Sequence, residues 1–191
     1  SSDGISWTSR TSGTTYKLYG ISYANSSFVT VGDNGTILSS ADGISWVTRN
    51  SGTSSILWGI SHGNGLFVSV GSSGTVLTST DGISWISRNS GITQQLYGVT
   101  YGNGLFVSVG SSGTIITSLD GISWTSRNFD TIKWLWRVNL KQGLFVATGE
   151  SGTILTSKDG SSWTLRVSGI IENNLNSLTY GNEHFVMLGD S

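Results

Sequence analysis

Several residue types that would indicate particular classes of protein are absent or scarce in this chain. It has no cysteine, which excludes disulfides and thiolate metal sites, and it has no proline. Only 11% of its residues are charged and the formal net charge is −1, so no basic surface for nucleic acid or an anionic membrane is expected. It contains no apolar run of about 20 residues, the length of a membrane-spanning helix. These absences predict a protein with no nucleic-acid partner and no membrane insertion.

Glycine and aromatic residues are abundant instead. The 191 residues include 27 glycines, and 10% of them are aromatic. Low charge with many glycines can indicate disorder, but here aromatic and β-branched residues recur regularly, which favours folded β-structure. A chain of this length can bury the core of one domain. We therefore expect a single all-β domain over residues 1–191.

A short acidic motif recurs along the whole chain. DGISW occurs four times and DGSSW once, always 39 residues apart. A fixed period of this length indicates a repeat architecture. The motif aspartates are Asp3, Asp42, Asp81, Asp120 and Asp159. The predicted repeats cover residues 3–41, 42–80, 81–119, 120–158 and 159–191.

One repeat, residues 42–80, contains four short runs of β-type residues. These runs are ISWVTR (44–49), ILWGISH (56–62), LFVSV (66–70) and TVLTS (75–79). Asn64-Gly65, between the second and third runs, favours a two-residue type I′ hairpin because both central residues need positive φ. GSSG and TDG predict two more tight turns, and only NSGTSS (50–55) is long enough for a crossover. Each repeat is therefore expected to form a four-stranded antiparallel meander.

Such meanders either stack in a line, as in a β-solenoid, or radially around a channel, as in a β-propeller. The 39-residue, four-stranded unit fits a propeller blade better than a β-helix coil. We therefore expect a five-bladed β-propeller, with one inserted residue in the last unit near Ile170–Asn174. The repeat phase predicts that the N-terminal strand, Ile5–Arg10, completes the last blade as a Velcro closure. The expected product is a monomeric ring; a fragment of a larger propeller is the alternative.

The repetition bears directly on what the motif aspartates do. An aspartate at a hairpin tip accepts hydrogen bonds from backbone N–H groups shortly after it, the next glycine supplies the unusual φ, and the tryptophan buries apolar area. A catalytic residue is needed once, whereas a blade element is needed in every blade. We therefore predict that all five aspartates are structural. The same reasoning predicts that five recurring arginines either cover the sheet edge or pair with a turn acid: Arg10, Arg49, Arg88, Arg127 and Arg166. It assigns five phenylalanines to the inter-blade core: Phe28, Phe67, Phe106, Phe145 and Phe185.

The motif resembles the Asp-box, or BNR, repeat, whose usual form is Ser-x-Asp-x-Gly-x-Thr-Trp. That repeat occurs in sialidases, other glycosidases, sortilin-type receptors and photosystem II assembly-factor-like propellers. The wider unit is similar to propeller repeats of bacterial surface and phage proteins. The matching segments are SSDGISW (1–7), SADGISW (40–46), STDGISW (79–85), SLDGISW (118–124) and SKDGSSW (157–163), with aspartate four rather than five residues before tryptophan. The resemblance implies a propeller fold and favours an extracellular, surface or virion location, but the motif is scaffold in the family too.

Two regions of the repeat vary between units and are predicted to share one rim. They are the long links, such as NFDTIKW (128–134), and the turn after the third run, which holds Asp33 in the first unit and Glu150 in the fourth. Loops on one rim of a rigid scaffold commonly carry binding residues, and drift of solvent-exposed loops is the alternative. Asp33 and Glu150 are therefore candidate ligand-binding residues.

Aromatic residues recur at the start of the predicted inner strand. Tyr19, Trp58, Tyr97 and Trp136 share this position, with Asn176 as the fifth member. The fourth unit diverges further, with Trp134 in its link and Arg137 where three units have glycine. These side chains are candidates to line the mouth of the channel and stack on sugar rings or flat ligands. The alternatives are ordinary inter-blade packing and, for Arg137, an ion pair with Glu150.

No constellation in the sequence indicates catalysis. No His/Asp/Glu cluster has the spacing of a metal site, no Ser/His/Asp arrangement stands out, and nothing positions two acids as a glycosidase requires. We therefore expect a non-enzymatic binding propeller without metal or cofactor. Glycan recognition in a lectin- or adhesin-like role is the first hypothesis, because similar sites on several blades would add avidity. The alternative is a protein-interaction or structural module, and a glycosidase is favoured least.

Overall fold

The computed structural model describes residues 1, 3–127, 129–169 and 172–190. These residues form eighteen β-strands in five antiparallel sheets, four with four strands and the last with two. The only helical elements among them are three-residue 3-10 turns. None of the described helices has the length and apolar character needed to cross a bilayer. The all-β architecture predicted from the sequence is therefore confirmed.

The strands follow the chain order inside every sheet, as expected for meanders. The first two sheets comprise β1 (Leu18–Ala24), β2 (Ser27–Gly32), β3 (Ile37–Ser40) and β4 (Val47–Arg49), then β5 (Leu57–Gly63), β6 (Leu66–Gly71), β7 (Val76–Ser79) and β8 (Ile86–Arg88). The next two comprise β9 (Leu96–Gly102), β10 (Leu105–Gly110), β11 (Ile115–Ser118) and β12 (Thr125–Arg127), then β13 (Leu135–Lys141), β14 (Leu144–Gly149), β15 (Ile154–Ser157) and β16 (Thr164–Arg166). The fifth comprises β17 (Leu175–Gly181) and β18 (His184–Gly189).

The hairpin between the first two strands of each sheet has the backbone that the sequence predicts. Asn64 and Gly65 have φ of 49° and 73°, so both lie in the left-handed region that a type I′ turn requires. The same register follows in the strands, where His62 pairs with Phe67 and Gly63 with Leu66. The hairpin therefore fixes which face of each inner strand is buried.

The GSSG-type turns are more compact than simple hairpins. Ser72–Gly74 forms a 3-10 turn in which Ser73 has a φ of 55°. A Cβ added to Gly74 would lie 2.2 Å from the carbonyl oxygen of Ile92, in the following link. Glycine is therefore required here, because the turn packs directly on the backbone of the link. The two variable regions, the turn and the link, thus lie on the same rim.

Each motif aspartate is held inside its own hairpin. The Asp81 carboxylate accepts 2.8 Å hydrogen bonds from the backbone N–H groups of Ile83 and Ser84, and Ser79 Oγ donates to it at 2.9 Å. These bonds, with the backbone contribution largest, lower the pKa of Asp81 from 3.8 to about 2. The motifs at Asp3, Asp42, Asp120 and Asp159 repeat the same backbone hydrogen bonds.

The outermost strands are shorter than predicted, because the motif hairpin occupies the residues before them. The expected strand at 44–49 is reduced to β4, three residues long. Its arginine, Arg49, donates from Nε to Ser39 Oγ at 2.7 Å on the adjacent strand. Arg88 makes the equivalent bond to Thr78 Oγ1 at 2.9 Å. These arginines bond to hydroxyl groups of the neighbouring strand rather than to a turn acid.

The core lies between neighbouring sheets. Val29, Val31 and Ile37 of the first sheet form one buried cluster with Leu57, Phe67 and Leu77 of the second. Equivalent clusters join the second sheet to the third and the third to the fourth. Phe67, Phe106 and Phe145 are fully buried, and burying a side chain of this size stabilises the fold by about 1.5–3 kcal/mol. Phe28 and Phe185, in the end sheets, are only half-buried.

The inner strands pack on one another in chain order. β1 contacts β5, β5 contacts β9, β9 contacts β13 and β13 contacts β17. The predicted Velcro closure is not shown, because residues 5–10 contain no strand and Trp7 is 79% exposed. The described structure is therefore a series of sheets whose inner strands pack side by side, and we call the line along which these inner strands meet the axis. One predicted feature involves residues outside the described ones: the insertion near residues 170–174, which includes Ile170 and Ile171.

Candidate functional site

Every inner strand carries a β-bulge at its second residue. In β5, Leu57 pairs with Gly71 and Gly59 with Val70, so Trp58 has no partner across the ladder. β1, β13 and β17 are interrupted at the same place, and in β9 the unpaired residue is Tyr97. A bulge turns a side chain away from the sheet face. Here it directs the residue at this position toward the axis.

The residue after the bulge is glycine in three sheets because the next inner strand approaches closely. A Cβ on Gly59 would lie 2.9 Å from the carbonyl oxygen of Tyr97. A Cβ on Gly98 would lie 3.1 Å from the carbonyl oxygen of Trp136. The bulged side chains of adjacent strands are therefore brought together around the axis.

The bulged residues line an open pocket of about 420 Å³ at the axis. Other members of its lining come from the link just before an inner strand and from the residue after the bulge. The lining residues are Tyr19, Trp58, Gln95, Tyr97, Trp134, Trp136, Arg137 and Asn176. Mostly aromatic walls with a few polar groups are typical of ligand pockets, and the volume lies in their usual range. We call this site the axial pocket.

The aromatic rings of the axial pocket form a continuous series. Ring centroids are 4.5 Å apart for Tyr19 and Trp58, 5.7 Å for Trp58 and Tyr97, and 4.7 Å for Tyr97 and Trp136. Trp134 stacks on Tyr97 at 5.9 Å. Tyr97 is only 5% exposed, whereas Trp134 is 40% exposed. Tyr97 therefore forms the floor, and Trp134 stands at the open edge.

Residues of the 3-10 turns form hydrogen bonds with residues of the axial pocket. Tyr19 donates its hydroxyl to Asp33 Oδ1 at 2.9 Å, and Trp58 Nε1 donates to Ser72 Oγ at 3.2 Å. The Asp33 contact raises the pKa of Tyr19. In the fourth sheet, Glu150 Oε2 accepts from the backbone N–H of Trp134 at 3.2 Å.

Arg137 gives the pocket its one cationic side chain. Its Nη1 donates to the carbonyl oxygen of Trp136 at 3.0 Å. Although the side chain reaches solvent, the surrounding protein partly desolvates the guanidinium and lowers the pKa of Arg137 from its ordinary value. Among the described residues no carboxylate pairs with it, so the suggested ion pair with Glu150 is not formed. Arg137 lines the pocket, and its guanidinium has further N–H donors besides the one bonded to Trp136.

The structure brings together six of the eight candidate residues named from the sequence. Tyr19, Trp58, Tyr97, Trp134, Trp136 and Arg137 line the axial pocket. Asp33 and Glu150 do not line it; each bonds to a lining residue instead. Both acids belong to a 3-10 turn, and the turn contacts the lining residues through these hydrogen bonds.

Sequence reasoning did not single out Gln95. It occupies the link position that Trp134 occupies one repeat later. Trp134 could have pointed to Gln95, because both residues come directly before an inner strand and therefore lie close to its bulge.

Comparisons with known proteins identify the fold. No family model and no curated protein matches the chain. Among solved structures, "YCF48 bound to D1 peptide" is 20% identical with a TM-score of 0.72, covering 91% of this chain and 60% of that one. A nidogen/laminin complex is 11% identical with a TM-score of 0.70, covering 90% of this chain and 72% of the other.

A third match is the GH74 enzyme of Niastella koreensis. It is 24% identical with a TM-score of 0.57, and the alignment covers 77% of this chain but 24% of the enzyme. The chain therefore spans three fifths of the YCF48 chain and a smaller part of this enzyme. Taken together, the sheets and these neighbours show a β-propeller type of fold.

Proposed function

We propose that this chain is a protein-interaction module that holds a peptide segment in the axial pocket. The observation that carries the proposal is the series of aromatic rings from Tyr19 to Trp136, which the bulges direct to the axis. Aromatic side chains give large contact areas at a low cost in conformational entropy, and they are common at the centres of protein interfaces. The similar solved structures bound to a peptide or to a protein partner support this reading.

Arg137 gives the proposed site a preference for acidic segments. A partly desolvated guanidinium without a carboxylate partner favours a ligand that brings one. An apolar or aromatic residue beside that carboxylate would stack on Trp134, at the open edge of the pocket. We therefore expect the bound segment to combine an apolar side chain with a nearby acid.

Glycan recognition is a second candidate for the same pocket. Aromatic faces also stack on sugar rings, and the amides of Gln95 and Asn176 offer hydrogen bonds to hydroxyl groups. For either ligand we propose binding without chemistry. The lining side chains include no carboxylate within the described part of the chain, so the two-acid arrangement of a glycosidase has no support at this site.

Peptide and glycan arrays probed in parallel test the proposal. We expect the wild-type chain to retain peptides that combine aromatic or aliphatic residues with acids. Trp134→Ala should lose that signal, and Arg137→Gln should lose it selectively for acidic peptides. Trp7→Ala removes an exposed tryptophan outside the pocket and serves as the control. Binding only to glycans would replace the peptide proposal, and a signal unchanged in Trp134→Ala would reject the axial pocket.

A further inference from the structure

The fifth sheet exposes an apolar face that the other sheets bury. Val186 is 49% exposed and Leu188 is 67% exposed. The residues at the same repeat positions in the other four sheets are at most 2% exposed: Val29, Val68, Val107 and Val146, and Val31, Val70, Val109 and Thr148. The face is therefore an interface surface in every sheet but the last.

The other sheets show what covers this face. Val29 and Val31 pack against Leu57 and Phe67 of the following sheet. The same arrangement occurs twice more, with Leu96 and Phe106 over the second sheet and with Leu135 and Phe145 over the third. The complementary surface is thus the Leu and Phe face of another sheet of this repeat.

The chain presents that complementary surface once more, on its first sheet. Leu18 is 36% exposed, Ile21 62% and Tyr23 59%. Their counterparts in the second, third and fourth sheets are buried or half-buried against the preceding sheet. The two ends of the row therefore expose the two halves of one repeating interface.

The two halves also fit in detail. A Cβ on Gly63 would lie 2.0 Å from Cγ of Tyr101, so in that interface the aromatic ring sits directly over the glycine. Gly181 is the counterpart of Gly63 in the fifth sheet, and nothing lies within 4 Å of its Cβ position. Tyr23 is the counterpart of Tyr101 in the first sheet. One end of the row holds the empty recess and the other holds the ring that would fill it.

We propose that the fifth sheet of one molecule docks on the first sheet of a second copy, head to tail. Val186 and Leu188 would cover Leu18, and Tyr23 would sit over Gly181. β1 and β17 make no packing contact comparable to those of the other inner strands, so both faces are open in the same molecule. A net charge of −1 opposes association only weakly. A head-to-tail contact of this kind generates closed rings or open chains of molecules.

Variants that block one end each make the test selective. Leu188→Asp blocks the fifth-sheet face, and Ile21→Asp blocks the first-sheet face. Each variant alone should be monomeric in sedimentation velocity at concentrations where the wild type associates. An equimolar mixture should form dimers and nothing larger, because each molecule keeps one intact face. Ile86→Asp is the matched control, since Ile86 is 54% exposed on an outer strand away from both faces.

A second variant covers the case in which a charged substitution impairs folding. Gly181→Leu adds a side chain where the monomer has space, so at a concentration where both proteins are monomeric its thermal unfolding should match that of the wild type. At higher concentrations its association should be lost. A wild-type chain that stays monomeric at every concentration would overturn the proposal. So would a mixture of the two blocked variants that fails to dimerise, or association that Ile86→Asp abolishes as completely as Leu188→Asp.

Discussion

Residues that are identical in every repeat build the blades, whereas the pocket combines an aromatic position shared by four repeats with residues that occur once. The motif aspartates illustrate the first group, because each carboxylate accepts two backbone N–H bonds of its own hairpin. Arg137 illustrates the second, since three other sheets have glycine at its position. The role of a residue therefore depends on whether every repeat preserves it.

The hairpin bonds of one aspartate predict a modest loss of stability on its removal. Asp81→Ala should lower the free energy of unfolding by about 1 kcal/mol, as the loss of a capping-type acid does. Asp81→Asn keeps an acceptor oxygen and should lose less. Urea unfolding of the three proteins measures both differences. An unchanged unfolding midpoint for Asp81→Ala would contradict the structural role.

Acid should weaken the fold through the same carboxylates. Their pKa values fall from 3.8 in the unfolded chain to about 2 in the folded one. Their contribution to the free energy of unfolding is therefore complete above the unfolded-state pKa and is lost as the pH drops toward 2.

His62 adds an acid sensitivity at higher pH. Burial lowers its pKa from 6.5, and its Nε2 is buried without a hydrogen-bond partner among the described residues. The folded state thus binds a proton less readily than the unfolded state, so stability is lost as the pH falls below the unfolded value. Urea unfolding at pH about 7.5 and about 5 measures this loss. His62→Tyr, which introduces the residue found at Tyr101, should reduce the difference; an equal difference would contradict the assignment.

At the scale of elements, the bulge and the glycine after it connect the sheet to the site. The bulge directs one side chain per inner strand to the axis, and the glycine lets the next strand approach. Both features are needed for the pocket, because its aromatic rings meet only when adjacent inner strands approach this closely.

Gly59→Ala tests that connection. Its Cβ would lie 2.9 Å from the carbonyl oxygen of Tyr97, which belongs to the backbone and cannot move aside cheaply. We expect a loss of roughly 1–3 kcal/mol in stability, as for other overpacked sites. Gly181→Ala is the control, because nothing lies within 4 Å of that Cβ position. Equal stability of the two variants in thermal unfolding would show that the close approach is not needed.

Much of the element structure could be predicted from the sequence because it depends on local chemistry. Asn64-Gly65 marked its hairpin through the positive φ that both residues adopt. The start of the outer strand could not be predicted in this way, because the first half of the run ISWVTR belongs to the motif hairpin. The bulge at Trp58 left no signal of its own, because bulges depend on how two strands pair. The aromatic position was found only through its repetition.

Long-range features were the least predictable. The Velcro closure was inferred from the repeat phase, but phase alone does not supply the packing that would hold Ile5–Arg10 as a strand of the last sheet. Asp33 and Glu150 were predicted to bind ligand, but each bonds to a residue of the pocket lining instead, and those contacts depend on the fold of the 3-10 turn. Gln95 was missed because it is an ordinary polar residue inside a variable link.

At the scale of the whole molecule, we propose that binding takes place on one side of the axis. The links, which vary between units, supply Gln95 and Trp134 to the axial pocket, and residues of the varying 3-10 turns bond to its lining. The Asp-Gly hairpins, in contrast, repeat with little change. The repeated sheets thus carry one surface whose residues differ between units, and this is the surface that we propose binds a specific partner.

Photo-crosslinking of an array-selected peptide tests this claim most directly. The peptide would carry a photoreactive phenylalanine analogue in place of its aromatic or aliphatic anchor, and mass spectrometry would locate the attached residues. We predict attachment at the starts of β5, β9 and β13, around Trp58, Tyr97 and Trp134. Competition with the unmodified peptide should abolish this attachment. Attachment concentrated on the Asp-Gly hairpins or on the outer strands, with the axial pocket unlabelled, would contradict it.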